Sequence, residues 1–327
     1  MLVTIHGVTG IVVRDITDIN HPANRCSFAG GSYFKFYNAT HVSYIVLSSG
    51  NLGASGALYL ADLTTHTTSL VRAWNNGGFD SWIYSWSPDG QELTYLSSDS
   101  SGLQWHMLSG GGDKVLSNLG PVPPRDVNSD VDDTMVGFSA DGQYVAVETT
   151  MTQGGGGPTS PAPPVQVNRV ADGSIAYSRT DGSMAAWAGA GAHLYFSTTA
   201  GVQSWSPSGG VISASAIQWI RPTASPDGSR MAFSVLNAQQ NHVGQVLDLT
   251  SGQTHALSAN PRVGAAFLNA SLVWYAGETI CTTATPCGLG GPPLSGKTYV
   301  YDLGSDVETG SLDTSFFDAW PHVVGQS

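Results

Sequence analysis

Lysine is almost missing from this chain: Lys35, Lys114 and Lys297 are the only three. Lys and Arg together number 12 against 24 Asp and Glu, a formal net charge of −12. Without a basic patch there is nothing to displace counterions from phosphate, so nucleic acid is not expected as a partner. Charge of either sign is scarce, at 11% of residues, while hydrophobic residues make up 41%. Gly, Ser and Thr fill the difference, a loop-rich, all-β composition with little to offer helices. No apolar run approaches the ~20 residues of a membrane-crossing helix. Residues 1–6 lack the basic start and long apolar stretch of a signal peptide. That leaves a cytoplasmic protein or one whose leader is not present in this chain. The Ser/Thr/Gly-rich surface and the cysteine-bearing loop favour an extracellular or periplasmic setting.

Cysteine is as rare as lysine, with three of each, and no spacing of Cys and His suggests zinc. Cys281 and Cys287 share one Gly/Pro/Thr-rich loop. A disulfide between them is the first expectation, with two free thiols as the alternative. The small ring would contribute roughly 2 kcal/mol on the chain-entropy model. Cys26 is left over, expected in a strand. The familiar catalytic strings are missing too: no G-x-S-x-G elbow, no H-E-x-x-H, no P-loop and no G-x-G-x-x-G after a strand. The nine histidines are scattered as turn and surface residues.

What is present is a repeated turn. Trp86-Ser87-Pro88-Asp89-Gly90 recurs as Phe138-Ser139-Ala140-Asp141-Gly142 and as Ala224-Ser225-Pro226-Asp227-Gly228. Pro presets the turn, Asp bonds its own backbone, and Gly supplies the positive φ that closes a hairpin. Degenerate copies follow Phe36, Trp187 and Phe267, and each copy precedes an apolar strand such as Leu93-Thr94-Tyr95-Leu96 or Met231-Ala232-Phe233-Ser234. The matches to N-x-S/T at Asn38 and Asn269 fall in these turns and are read as turn chemistry. A second register, apolar-x-Asp-apolar, ends at Ile16, Leu63, Leu249 and Leu303, with Asp15, Asp62, Asp248 and Asp302 capping a turn between third and fourth strands. Both registers repeat at about 46 residues, the length of a four-stranded β-propeller blade.

The fold expected is therefore all-β, a single β-propeller domain over residues 1–327 with seven four-stranded blades. Residues 1–28 and 316–327 together build a composite closing blade, since Phe317-Asp318-Ala319-Trp320 copies Phe79-Asp80-Ser81-Trp82. Such closure removes two free sheet edges. Six blades with strays at both ends is the alternative. Two inserts, 151–164 and 277–296, are Gly/Pro-rich, and inserts on one face commonly mark the binding face of a repeat protein.

The Trp86 and Ala224 units, with Leu93-Thr94-Tyr95 and Met231-Ala232-Phe233, resemble those of TolB-type, WD-repeat-like propellers of bacteria. Three of the seven units carry the pattern well. The resemblance implies a bacterial, exported propeller acting as a periplasmic scaffold or as a substrate-gating domain beside a peptidase. It implies no catalytic residue, and no peptidase domain accompanies the repeats. A sensor domain cut from a larger chain also fits.

In a propeller the first strands line a central channel, so their opening residues meet at one mouth. Those positions hold Asp80, Asp132, Asp133, Asp181, Arg221, Arg262 and Asp318, with Trp82, Trp219 and Trp320 beside them and Glu148 and Glu278 at the ends of second strands. Clustered carboxylates can hold a hard divalent cation, Ca²⁺ foremost, with Asp133, Glu148 and Glu278 as ligands. Arg221 and Arg262 could hold a small anionic ligand. The same residues would equally cap turns and pair with one another. Two functions follow as expectations. One is a monomeric, exported binding or scaffold module whose partner is a protein, peptide or glycan at the insert-bearing face. The other is a metal-dependent hydrolase of an ester, lactone or phosphoester at the channel mouth.

Overall fold

The computed structural model describes residues 2–5, 11–15, 18, 21–28, 31–38, 40–47, 55–74, 84–99, 102–120, 129–132, 135–148, 150–153, 157–158, 165–189, 191–280, 282, 294–312 and 319–321. The described residues form strands joined by turns, with no helix among them.

Seven four-stranded antiparallel sheets and one small extra sheet account for the strands. The first sheet takes β1 (Leu2–Ile5), β2 (Ile11–Asp15) and β3 (Ala23–Phe28) from the head of the chain. Next come β4 (Ser32–Asn38), β5 (His41–Leu47), β6 (Gly56–Asp62) and β7 (Thr67–Trp74). A third sheet holds β8 (Tyr84–Trp86), β9 (Leu93–Asp99), β10 (Gly102–Ser109) and β11 (Gly112–Gly120). Then follow β12 (Ser129–Asp132), β13 (Met135–Phe138), β14 (Tyr144–Val147), β15 (Thr150–Gln153), β16 (Gly157–Pro158), β17 (Val165–Arg169) and β18 (Ile175–Arg179). Here β13, β14, β17 and β18 make the regular sheet, and β12, β15 and β16 make the extra one. The last three sheets are β19 (Ser183–Ala188) to β22 (Gly210–Ser215), with β20 (His193–Thr198) and β21 (Gly201–Ser206) between; β23 (Ile220–Ala224), β24 (Arg230–Leu236), β25 (His242–Asp248) and β26 (Thr254–Ala256); and β27 (Arg262–Phe267), β28 (Leu272–Glu278), β29 (Leu294–Asp302) and β30 (Val307–Leu312). The final strand, β31 (Ala319–Pro321), returns to the first sheet, which has the order β3-β2-β1-β31. Leu2 pairs with Pro321 and Thr4 with Ala319. This is the seven-sheet, composite-blade architecture expected from the period.

Part of the 151–164 insert is β-strand. Thr150–Gln153 and Gly157–Pro158 pair with one another and with Ser129–Asp132, giving the three-stranded side sheet. A Gly/Pro-rich composition hid these short pairings, which need few residues and no apolar alternation.

The two sequence registers become two sets of hydrogen bonds. At the Trp86 turn, Ser87 Oγ donates to Asp89 Oδ1 at 2.6 Å, and the Glu92 N–H donates to Ser87 Oγ at 2.9 Å. Ser139 with Asp141 and Ser225 with Asp227 repeat the 2.6 Å bond. Gly90 sits at φ 68°, and a Cβ there would strike the Tyr37 ring, whose hydroxyl donates to the Gly90 carbonyl at 3.0 Å. Asp62, Asp248 and Asp302 each accept backbone N–H groups of the following turn, at 2.7 Å from Thr64, 2.8 Å from Ser251 and 2.8 Å from Gly304. These donors hold the carboxyls below the usual aspartate range. Asn38 and Asn269 do the same turn work through their Oδ1 atoms.

Contacts divide the chain into two compact units, residues 1–29 with 186–326, and residues 30–185. In the second, apolar layers form between successive sheets: Ile45, Leu58, Trp74, Tyr84, Leu93 and Tyr95 in one, and Leu96, Trp105, Met107, Phe138, Val145 and Val147 in the next. In the first, Trp219, Met231 and Phe233 pack with Ala186 and Val202, and Phe267, Val273 and Tyr275 pack with Val246 and Leu257. Each fully buried large side chain contributes about 1.5–3 kcal/mol.

Candidate functional site

Antiparallel pairing brings the opening of β27 and the close of β28 to one end of their sheet. Arg262 pairs with Gly277, and the Glu278 N–H donates to the Pro261 carbonyl at 3.3 Å. The third strand of the preceding sheet opens at the same end, with His242. Its Nδ1 lies 2.8 and 3.0 Å from the two oxygens of Glu278, whose side chain is only 2% exposed. A carboxylate so placed fixes the ring of a 17% exposed histidine, the arrangement that prepares an imidazole as base or ligand through its other nitrogen.

Arg262 is closed off. Its Nε and Nη2 donate to the two oxygens of Glu308 at 3.0 and 3.1 Å, and Nη1 donates to the Pro261 carbonyl at 2.8 Å. The guanidinium lies 3.9 Å from the Tyr299 ring centroid and 5.6 Å from that of Tyr275. Tyr275 donates its hydroxyl to Glu308 Oε2 at 2.8 Å. Burial first, and then that bond and the Glu308 charge, push its pKa far above the ordinary phenol value. These bonds use three of the five N–H donors of the guanidinium.

In residues 30–185 a second polar cluster joins three strands of one sheet and the fourth strand of the sheet before it. Ser97 Oγ lies 2.8 Å from His106 Nε2, and His106 Nδ1 lies 3.3 Å from Asp113 Oδ1. Tyr95 donates to Asp113 Oδ2 at 2.6 Å, and Arg72 Nη2 sits 2.8 Å from the same oxygen. The His106 and Tyr95 rings stack at 4.9 Å. Serine, histidine and aspartate stand in the order of a nucleophile relay. Ser97 is 6% exposed, however, and Arg72 already neutralises Asp113. The cluster is a brace across β9, β10 and β11.

The other nominated residues scatter. Glu148 is 1% exposed and accepts the Ala185 N–H at 2.8 Å. Asp181 is an exposed turn residue paired with Arg179, whose guanidinium bond lowers its pKa. Arg221 is exposed on β23 at φ 50°. Trp219 is core, stacked 4.4 Å from Phe233. Asp132 lies in the side sheet opposite Thr150, and Trp320 lies in β31 opposite Val3. Asp80, Trp82, Asp133, Asp318, Cys281 and Cys287 lie outside the described residues. Cys26 is a half-buried free thiol in β3, its pKa raised by burial. Among the described residues no group of three or more His, Cys, Asp or Glu is placed to hold a metal ion. Of the nominated set, strand pairing sets the backbones of Arg262 and Glu278 at one end of the same sheet. Sequence reasoning missed His242, Tyr275, Tyr299 and Glu308 around them, because only strand pairing reveals them as neighbours.

No family model matches the chain, and no curated protein sequence matches it. Solved structures do match, at the level of fold. The chain resembles TolB from Acinetobacter baumannii at 16% identity and a TM-score of 0.50, over 94% of this chain and 61% of that one. It thus spans less than two thirds of the TolB chain. An oligogalacturonate lyase from Vibrio parahaemolyticus matches at 12% identity and a TM-score of 0.61, over 94% and 85% of the two chains. The β-propeller domain of the Trilobed protease from Pyrococcus furiosus matches at 9% identity and 0.54, over 94% and 88%. With seven four-stranded antiparallel sheets and these neighbours, the chain has a TolB-like β-propeller fold.

Proposed function

We propose that this chain is a single-domain propeller serving outside the cytoplasm as a binding or scaffold module. Its partner, a protein, peptide or glycan, docks at the sheet ends that carry the inserts. One observation carries this reading: Arg262, Glu278 and Glu148 at those ends are already paired. Arg262 is closed by Glu308, Glu278 by His242, and Glu148 by the Ala185 N–H. A partner docking at either sheet end can leave these pairs intact. The test is a pair of assays on the purified protein: metal content with melting in EDTA, and arrays of peptides and glycans. Binding that is lost when 277–296 is replaced by a short turn is expected, without turnover of esters, lactones or phosphoesters. Metal-dependent turnover abolished by Asp133→Ala would overturn the reading.

The second reading is the metal-dependent hydrolase of an ester, lactone or phosphoester, working with Ca²⁺ or a similar hard cation. The held imidazole of His242 favours it, since that geometry suits a general base. Turnover lost in His242→Gln with the melting point unchanged would support it.

A further inference from the structure

Residues 182–220 contain no Asp, Glu, Lys or Arg. They span the whole β19–β22 sheet, and each of the other six four-stranded sheets has charges of both signs within its span. The outermost strand of the neutral sheet is β22, Gly-Val-Ile-Ser-Ala-Ser, whose single hydrogen-bonded neighbour among the described strands is β21. Its residues are exposed along nearly the full length, including Val211 at 41% and Ile212 at 62%, and Ile217 just beyond is 61% exposed. Exposed apolar residues also occur on other outer strands, at Leu70, Val115, Ile175 and Val307. Those strands carry a guard: Arg72, Lys114, Arg179 and Glu308 respectively. Charge on an edge strand is how sheets discourage edge-to-edge pairing. β22 has neither charge nor proline.

We propose that β22 is a self-association edge, at which a second copy of this chain adds its own β22 in antiparallel register to continue the sheet. The occupant follows from charge. At a formal −12, two copies repel over most of their surface, and the neutral blade is where they can approach without that cost. The sequence also fits itself. Pairing centred on Ser213 sets Ile212 opposite Ala214 and Val211 opposite Ser215, so each large side chain meets a small one across the seam. Main-chain hydrogen bonds supply the attraction, as in other strand additions. The inference departs from the monomer expected from sequence and uses a different surface from the proposed partner site.

Sedimentation velocity over a wide concentration range tests it, on the wild type, on Ile212→Lys and on Ile175→Lys as an exposed outer-strand control. The expected result is a reversible wild-type dimer. Ile212→Lys weakens it about tenfold or more, by placing a charge on the edge, while Ile175→Lys dimerises like wild type. Ser213→Cys should crosslink to a dimer under mild oxidation far faster than wild type, because the two-fold sets the new thiols side by side. A wild type that stays monomeric at every concentration overturns the proposal, even if it captures an extended peptide. So does a dimer that Ile212→Lys leaves intact.

Discussion

The Arg262 cluster of residues 186–326 and the Arg72 cluster of residues 30–185 are assembled from the same parts. In each, a tyrosine on the second strand of a sheet, Tyr275 or Tyr95, donates its hydroxyl to a carboxylate on the fourth strand, Glu308 or Asp113. In each, an arginine lies over the tyrosine ring and donates to the same carboxylate oxygen. The remaining oxygen separates them. Arg262 comes from the first strand of its own sheet and reaches both oxygens of Glu308, which ends the network. Arg72 comes from the preceding sheet and leaves Asp113 Oδ1 to His106, which in turn reaches Ser97. A bidentate fork closes a site, and a one-oxygen contact lets a chain of hydrogen bonds grow.

Removing each arginine should expose this difference most strongly. Arg262 has a side chain 6% exposed against Glu308 at 27%, so Arg262→Ala should cost about 2–3 kcal/mol, below a fully buried pair because Glu308 keeps solvent contact. Arg72 and Asp113 are 30% and 26% exposed, and Arg72→Ala should cost about 1 kcal/mol or less. Urea denaturation of both variants decides it, and equal losses would erase the distinction.

Tyr275→Phe and Tyr95→Phe should each cost about 1–2 kcal/mol, since both delete a bond to a charged acceptor. They also change the alkaline limb. Burial first, and then the neighbouring carboxylate, raise both phenols above the ordinary 10.0. The folded state therefore keeps protons that the unfolded state releases, and their stabilisation is complete below pH 10.0 and lost as pH rises above it. Denaturation midpoints of the double Phe variant should fall less steeply with rising pH than those of wild type.

The turns contribute to the acid limb. Hydrogen bonds from the turn hold Asp62, Asp89, Asp227, Asp248 and Asp302 below 3.8, so their contribution is present above that pH and lost as pH falls through the lowered range. Asp227→Asn, which keeps an oxygen acceptor and loses the charge, should flatten the acid limb of the melting curve slightly. The smallest effect is expected for Ser97→Ala, about 1 kcal/mol or less. A fluorophosphonate probe should leave Ser97 unlabelled; labelling would make that cluster a nucleophile and not a brace.

The turns were legible because they are local. Ser87, Asp89 and Gly90 lie within four residues and repeat, so composition and spacing alone reveal both their bonds and the sheet period. The closing sheet was legible for the same reason, through the copied Phe-Asp-x-Trp string. The clusters were not. Arg262 and Glu308 are 46 residues apart, and His242 and Glu278 are 36 apart. Nothing in either stretch signals the other until strand pairing sets their ends together. The β12–β15–β16 sheet escaped because its strands are too short to show alternation.

The pairing of Thr4 with Ala319 has a consequence for the order in which the molecule can be made. Residues 30–185 are continuous in sequence, and their sheets can close as soon as they leave the ribosome. Residues 1–29 belong to the other unit, with 186–326. β1 therefore emerges before these sheets, pairs with β2 on one side, and waits on its other side until β31 has been made after them. During that interval Leu2–Ile5 presents an unpaired edge, and the closing of its sheet is a late step whose delay is set by the rate of synthesis as well as by chain diffusion.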